Sequence, residues 1–187
     1  WENVVVASVE SDANEHLEGL TCEALAERWD TEPILAVCDL LAEEDLGVSC
    51  VNHFIDEGDV REILASERVN VITDGLFGGN PHPRVYGAFP KVLGTYVREA
   101  NLLSLEEAVR KMTSLPARSM GLDSKGVVRP GMDADLTVFD PEVVSSPATY
   151  EDPTQYAKGV PHVLVNGEFV VRDGETTGAT PGEALRA

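Results

Sequence analysis

The chain has 187 residues, of which 43% are hydrophobic and 25% charged, enough for one substantial core or two small ones. Its 14 basic and 33 acidic residues give a formal net charge of −19, so the surface should repel phosphate groups and no nucleic-acid partner is expected. No apolar run approaches the ~20 residues that cross a bilayer, and residues 1–20 lack the pattern of a signal peptide, so no membrane partner is expected either.

Strands and helices alternate in the first part of the sequence. Runs of apolar and β-branched residues predict strands, and capping residues followed by helical spacing of apolar positions predict helices. In chain order these are strand 4–9, helix 21–29 capped by Thr21, a helix capped by Thr31 with Pro33 in its first turn, strand 48–55, helix 56–67 and strand 69–73. The alternation is typical of a parallel sheet with crossover helices, so an α/β fold is predicted.

The period of the pattern changes near residue 125. Before it lie a helix over 91–100, a helix that begins at Ser104 with Glu107 as its capping partner, and a short helix that ends at Gly121. After it, strands are predicted over 134–140, 163–165 and 169–171. Asn166-Gly167 between the last two is a strong hairpin signal, because both residues accept a positive φ. We therefore predict two domains, an α/β domain over 1–124 and a β domain over 125–187.

Asp74 follows the predicted strand 69–73 directly and opens a loop rich in glycine and proline. In parallel α/β sheets the C-terminal strand ends carry the chemistry, and a carboxylate there could bind a divalent metal or accept a proton from water. Arg84, at the far side of the loop, offers a planar fork suited to a substrate carboxylate. The alternative is that Asp74 is only a turn residue.

The histidines are weaker candidates. His82 lies in the same loop between two prolines, where a histidine bonded to backbone is an equally reasonable interpretation. His16, His53 and His162 are predicted to be structural or exposed. The sequence contains no H-x-H or H-E-x-x-H pattern, so by itself it does not contain a complete metal site.

The three cysteines are odd in number and widely spaced, so no disulfide framework is predicted. We expect Cys22, Cys38 and Cys50 to be buried, reduced thiols in a cytoplasmic protein. Because the chain begins with Trp1 and not with Met, we expect it to be a processed product or part of a longer protein.

Several segments resemble the N-acyl-D-amino-acid deacylases (D-aminoacylases) of the amidohydrolase superfamily. They are TDG at 73–75, HPRVYGAFPKVLGTYVRE at 82–99, LLSLEEAVRKMTSLPARSMGL at 102–122, GMDADLTVFDP at 131–141, ATYEDP at 148–153 and the tail from Gly159. The resemblance implies the C-terminal part of a TIM-like metal-dependent-hydrolase barrel over 1–124, followed by part of a small β-sandwich over 125–187. Ser124-Lys125-Gly126 departs from the family, whose members tend to have Arg-Gly there.

The resemblance also implies roles for individual residues. Asp74 would face the zinc centre as the general acid/base for the attacking water, and could itself be a metal ligand. Arg84 would hold the carboxylate of an N-acyl-D-amino acid, and His82 and Tyr86 would lie near the substrate without a firm role. The family's H-x-H, its bridging cysteine or lysine and its two later metal histidines lie upstream of the matching region and are not in this sequence.

The expected function is therefore zinc-dependent hydrolysis of an N-acyl-D-amino acid to a D-amino acid and a carboxylate. The chain alone is expected to hold no zinc and to be inactive, with the missing N-terminal portion or a second copy as its partner. Two alternatives remain open: another amidohydrolase that acts on cyclic amides, and a non-catalytic C-terminal module.

Overall fold

The computed structural model describes residues 1–185. Helices and strands are mixed, as an α/β protein requires. The chain forms two compact units. The first unit comprises Trp1–Asp59, Asp74–Tyr86 and Ala148–Gln155, and the second comprises Val60–Thr73, Gly87–Pro147 and the residues from Tyr156 onward. These units do not follow the predicted boundary at residue 125, and the assignment of 1–124 to a barrel and 125–187 to a sandwich stays a prediction.

The first unit is built around a two-stranded sheet and two helices. Strand β1 (Val4–Ser8) is followed by a 3₁₀ turn (Glu15–Leu17), helix α1 (Cys22–Arg28), helix α2 (Pro33–Glu43) and strand β2 (Ser49–Asn52). The Thr21 hydroxyl accepts the N–H of Ala24 at 3.0 Å, which confirms the predicted cap of α1. Thr31 does not cap α2, because Glu32 occupies the N-cap position and makes no side-chain bond there.

A small apolar core joins these elements. Leu25 and Ala26 of α1 pack with Ala36 and Leu40 of α2, whose spacing of four residues places both on one side of that helix. Val6 of β1 completes the contact with the sheet. The pairing of the strands differs from the prediction: β1 and β2 are antiparallel, with Val6 opposite Cys50. The parallel sheet predicted from the alternation of elements is therefore not formed by these two strands.

The second unit contains helices and an antiparallel sheet. Helix α3 (Glu57–Ala65) enters it from the first unit, and so does helix α4 (Arg84–Lys91), which continues as a π-helical segment (Val92–Glu99). Helices α5 (Leu105–Met112) and α6 (Ser114–Ser119) follow. Ser104 Oγ accepts the N–H of Glu107 at 3.1 Å, which confirms Ser104 as the cap of α5, whereas the Glu107 carboxylate accepts from Arg110 and does not complete the capping box. The apolar core of this unit is formed by Leu64, Val92, Leu93, Tyr96, Ala108 and Val144.

The sheet of the second unit is a meander of four strands. They are β3 (Leu136–Val138), β4 (His162–Val165), β5 (Glu168–Arg172) and β6 (Glu175–Thr176), in that order across the sheet. Asn166 and Gly167 between β4 and β5 have φ values of 50° and 81°. Both are in the left-handed region, which confirms the predicted tight hairpin.

The predicted strand 69–73 is wrong. These residues form no strand in the described chain, and Ile72 is 66% exposed. Their backbone is held instead by Lys111, whose fully buried ammonium group donates to the carbonyls of Ser66 and Val69. The N–H of Val71 donates to the Lys111 carbonyl at 3.0 Å. A side chain thus satisfies carbonyls that a neighbouring strand would otherwise bind.

Two smaller expectations can also be compared with the structure. All three cysteines are free, but only Cys22 is buried, whereas Cys38 and Cys50 are exposed. Burial raises the pKa of the Cys22 thiol above its ordinary value. No helix within residues 1–185 combines the length and the apolar character needed to cross a membrane.

Candidate active site

Asp74 and Arg84 form an ion pair across the glycine-rich loop. Arg84 Nη2 lies 2.9 Å from Asp74 Oδ2, and the Asp74 side chain is 76% exposed. The backbone of Asp74 is left-handed, with φ of 46°, a conformation that aspartate and asparagine tolerate better than most residues. The carboxylate is thus presented by a turn and oriented by a guanidinium group, and not by the end of a strand.

The loop between these two residues is anchored on strand β1. Asn80 donates its N–H to the Ala7 carbonyl at 2.7 Å. Gly79 passes so close that a Cβ there would lie 2.4 Å from the same carbonyl oxygen, and its φ is 47°. Glycine is therefore required at this position for both spatial and conformational reasons. The contact fixes the path of the loop that joins Asp74 to Arg84.

His82 marks the start of helix α4. Its Nδ1 accepts the backbone N–H of Arg84, with 3.0 Å between the two nitrogens. The first N–H groups of a helix have no partner within the helix, so this bond satisfies a group that would otherwise need water. On its other side, His82 Nε2 lies 3.1 Å from the Tyr150 hydroxyl. Both ring nitrogens of His82 are therefore engaged within the protein.

Tyr86 lies in α4, four residues after His82. Its ring packs edge-on against Phe77, with 6.4 Å between the ring centroids. Phe77 is 84% exposed at the tip of the loop. The structure thus brings the four predicted residues into one short segment of the first unit and joins Asp74 directly to Arg84.

Tyr150 and His53 were missed as site residues by sequence reasoning. Tyr150 belongs to the segment Ala148–Gln155, which joins the first unit although it is distant in sequence. Its ring lies 4.4 Å from that of His53 and 5.1 Å from that of His82. The only signal in the sequence was the ATYEDP stretch, which supported the family resemblance without indicating a role.

A cleft of about 840 Å³ lies beside Tyr150 and His53 in the first unit. Four carboxylates line it, those of Glu15, Glu18, Glu151 and Asp152, whereas Asp74 and Arg84 do not. Hydrogen bonds from the Glu151 backbone N–H and the Thr149 hydroxyl, together with the nearby His53, lower the pKa of Glu151. Negative charge on its walls makes this cleft unsuited to a carboxylate ligand, so the Asp74–Arg84 pair remains the candidate site.

The donor atoms for a metal centre are not assembled within the described part of the chain. No group of three or more His, Cys, Asp or Glu side chains within residues 1–185 could hold a metal ion. A protein zinc site needs three or four such ligands. Asp74 could supply one oxygen, but its carboxylate is paired with Arg84. The described residues therefore do not fit a complete zinc site.

The chemistry available at this site is that of a carboxylate beside a guanidinium group. The exposed Asp74 carboxylate can accept and return a proton, and Arg84 can orient an anion. Arg84 Nε is buried and has no hydrogen-bond partner among the described residues, whereas its side chain as a whole is 40% exposed.

Comparison with known proteins identifies the class to which the chain belongs. Residues 42–171, most of the chain, match the amidohydrolase family. The chain is a member of this family. It is 43% identical over 169 residues to the N-acyl-D-glutamate deacylase of Alcaligenes xylosoxydans xylosoxydans, an alignment that covers 90% of this chain and 33% of the relative. The chain thus spans about a third of the length of the curated relatives it matches.

Solved structures give the same result. The crystal structure of D-aminoacylase superposes with a TM-score of 0.86 at 38% identity, covering 94% of this chain and 36% of that one. The N-acyl-D-glutamate deacylase from Bordetella bronchiseptica, in complex with zinc and a phosphonate inhibitor that mimics the tetrahedral intermediate, superposes with a TM-score of 0.83 at 35% identity. That match covers 95% of this chain and 38% of the deacylase.

Proposed function

We propose that this chain is the C-terminal part of an N-acyl-D-amino-acid deacylase, an enzyme that hydrolyses the amide bond of an N-acyl-D-amino acid to a D-amino acid and a carboxylate. The observation that carries the proposal is the Asp74–Arg84 ion pair in a chain that is 43% identical to an N-acyl-D-glutamate deacylase. In this proposal residues 1–124 contribute the last strands and helices of a TIM-like barrel, and residues 125–187 contribute part of a small β-sandwich.

Asp74 acts in the proposal as the general base and then the general acid. It accepts a proton from the water that attacks the amide carbon, and it delivers that proton to the leaving nitrogen. Arg84 binds the carboxylate of the substrate, and Tyr86 contributes to the wall of the pocket. The small, exposed carboxylate of Asp74 is suited to this exchange because solvent and substrate can both reach it.

Zinc belongs to the complete enzyme in this proposal, where it would supply Lewis-acid activation of the attacking water. The zinc held by the Bordetella bronchiseptica deacylase supports this. In this proposal the zinc ligands come from outside this chain, since residues 1–185 hold no group of three donors, and the chain alone should be inactive. The three free cysteines are compatible with a reducing cytoplasm, which we propose as the location.

A hybrid enzyme tests the function. In it, this chain replaces the matching residues of the Alcaligenes xylosoxydans xylosoxydans N-acyl-D-glutamate deacylase, and release of D-glutamate from its N-acetyl derivative is measured. We expect turnover of the D substrate and none of its L enantiomer. Asp74→Asn in the hybrid should lower kcat by about 10²–10⁴-fold, because asparagine keeps the shape but cannot accept the proton.

The Asp74→Asn variant should remain folded. Asparagine tolerates the left-handed backbone at this position, and loss of an exposed ion pair costs only about 0–1 kcal/mol. A thermal unfolding curve like that of the parent hybrid therefore serves as the control. Parental turnover in a folded Asp74→Asn hybrid would make Asp74 a turn residue only. An inactive parent hybrid that binds metal and is folded would contradict the proposed function itself.

A further inference from the structure

Three polar contacts, together with the side chain of Arg84, connect Tyr150 to Asp74. The Tyr150 hydroxyl lies 3.1 Å from His82 Nε2, and His82 Nδ1 lies 3.0 Å from the backbone nitrogen of Arg84. The guanidinium group of Arg84 then contacts the Asp74 carboxylate at 2.9 Å. All four residues belong to the first unit. A residue far along the chain is thereby connected to the candidate active site.

The direction of each hydrogen bond follows from the backbone amide. The N–H of Arg84 can only donate, so Nδ1 of His82 must carry a lone pair. In a neutral imidazole the proton then sits on Nε2, which donates to the Tyr150 hydroxyl oxygen. The ring of His82 is thus fixed at both nitrogens, and its tautomer is determined by the amide.

Tyr150 is held in place by ring contacts as well as by its hydroxyl group. Its ring packs edge-on against His53 at 4.4 Å and against His82 at 5.1 Å. It therefore contacts two imidazole rings. Removing only the hydroxyl oxygen, by Tyr150→Phe, should leave these ring contacts in place while it deletes the acceptor for His82 Nε2.

We propose that Tyr150 and His82 are positioning residues, which fix the backbone of Arg84 at the start of α4 and through its guanidinium group orient the carboxylate of Asp74. This inference rests on the proposed function, and it assigns His82 a role through Arg84 in place of substrate contact. Small displacements of a proton-transferring group reduce rates strongly, so orientation of this carboxylate matters for turnover.

The first test uses the chain itself and needs no activity. Amide hydrogen exchange at Arg84 and the ¹⁵N shifts of the His82 ring are measured by NMR in the parent chain, in Tyr150→Phe and in Tyr156→Phe. Tyr156 is a matched control, because it is an exposed tyrosine outside the first unit. We expect Tyr150→Phe to speed exchange at Arg84 about 2–10-fold, the worth of one hydrogen bond, and Tyr156→Phe to leave it unchanged.

Two substitutions of His82 separate its two bonds. Asparagine has an oxygen at the place of Nδ1 and can still accept from the Arg84 amide, whereas alanine cannot. His82→Asn should therefore retain slow exchange at Arg84 that His82→Ala loses. Equal exchange in the parent, Tyr150→Phe and His82→Ala chains would overturn the inference.

The second test is a double-mutant cycle in the hybrid enzyme. Tyr150→Phe should lower kcat/KM about 2–10-fold when Arg84 is present, and should have no further effect in an Arg84→Ala background. The same factor in both backgrounds would show that Tyr150 acts elsewhere. An inactive parent hybrid would contradict the proposed function, while amide exchange in the chain would still decide the positioning role.

Discussion

Two tasks are proposed for Arg84 at the candidate active site, and both would use the same side chain. Its guanidinium group contacts Asp74 at 2.9 Å, yet the family resemblance assigns it the carboxylate of the substrate. The planar fork permits both, because its donors point in more than one direction. The ion pair itself adds little stability, since both side chains are substantially exposed. In the proposed function, the ion pair instead orients the carboxylate of Asp74.

Arg84→Lys in the hybrid enzyme tests the assigned task. Lysine keeps a positive charge near Asp74 but cannot bind a carboxylate through two parallel hydrogen bonds. We expect KM for N-acetyl-D-glutamate to rise by the equivalent of about 1–3 kcal/mol, with a smaller change in kcat. An analogue with an uncharged amide at the α-carboxyl position is the control, because its KM should be insensitive to the substitution. An unchanged KM for the acid would rule out carboxylate binding by Arg84.

The residues of the site differ in how far the sequence could reveal them. Asp74, His82 and Arg84 lie close together in one loop, so the sequence alone indicated a cluster. Tyr150 could not be found this way, because only tertiary folding brings Ala148–Gln155 to His82. No local pattern encodes a contact across that distance in sequence.

At the scale of elements, most local signals were reliable and long-range pairing was not, and the exception among the local signals is Thr31, which does not cap α2. The caps Thr21 and Ser104 and the Asn166-Gly167 turn form as predicted, because each depends on residues within four positions. The strand predicted over 69–73 does not form, because an apolar run does not specify which residues its backbone will bind. That partner is Lys111, a residue type that is rarely buried and that no hydrophobic pattern would nominate.

Glu44 at the end of α2 organises the loop that follows β1. Its carboxylate accepts the N–H groups of Glu10 and Ser11 at 2.9 and 2.8 Å and the Asn14 side-chain amide at 2.7 Å. Hydrogen bonds from the Ser11 hydroxyl and from Asn14 are the main reasons that the pKa of Glu44 is lowered to about 2. The side chain is only 4% exposed, so water cannot replace these bonds easily.

Glu44→Gln should therefore lower stability in a pH-dependent way. The folded-state pKa lies below the ordinary value of 4.5, so the carboxylate stabilises the fold above that value and loses this contribution as the pH falls towards about 2. Urea midpoints of the parent and of Glu44→Gln should differ at pH 7 and converge in acid. Glu43→Gln, at the neighbouring position, is the control. A midpoint difference that does not shrink below pH 4 would exclude ionisation as the cause.

At the scale of the whole molecule, the α/β class was predictable from the alternation of elements, and the family from its motifs. The antiparallel pairing of β1 and β2 was not predictable, since the strands are separated by 40 residues and two helices. The division into two units was not predictable either, because each unit combines three segments that are separate in sequence. Chain order alone cannot specify such an arrangement.

The last prediction concerns zinc, and it follows from the side chains that residues 1–185 can supply. Within residues 1–185 no cluster of three donors exists, and tight binding needs three or four. Equilibrium dialysis of this chain against zinc, followed by elemental analysis, should therefore give much less than one metal ion per chain. The net charge of −19 attracts cations unspecifically, so the experiment belongs at ~0.15 M salt, where exposed charges more than about 8 Å apart are largely screened.

The hybrid enzyme is the positive control. Its other residues, which come from the Alcaligenes xylosoxydans xylosoxydans deacylase, are expected to supply the missing ligands, so it should retain zinc under the same conditions. One tightly held zinc per chain that disappears on Asp74→Asn would show that this chain forms a metal site by itself. It would also remove the reason for expecting the chain to be inactive alone.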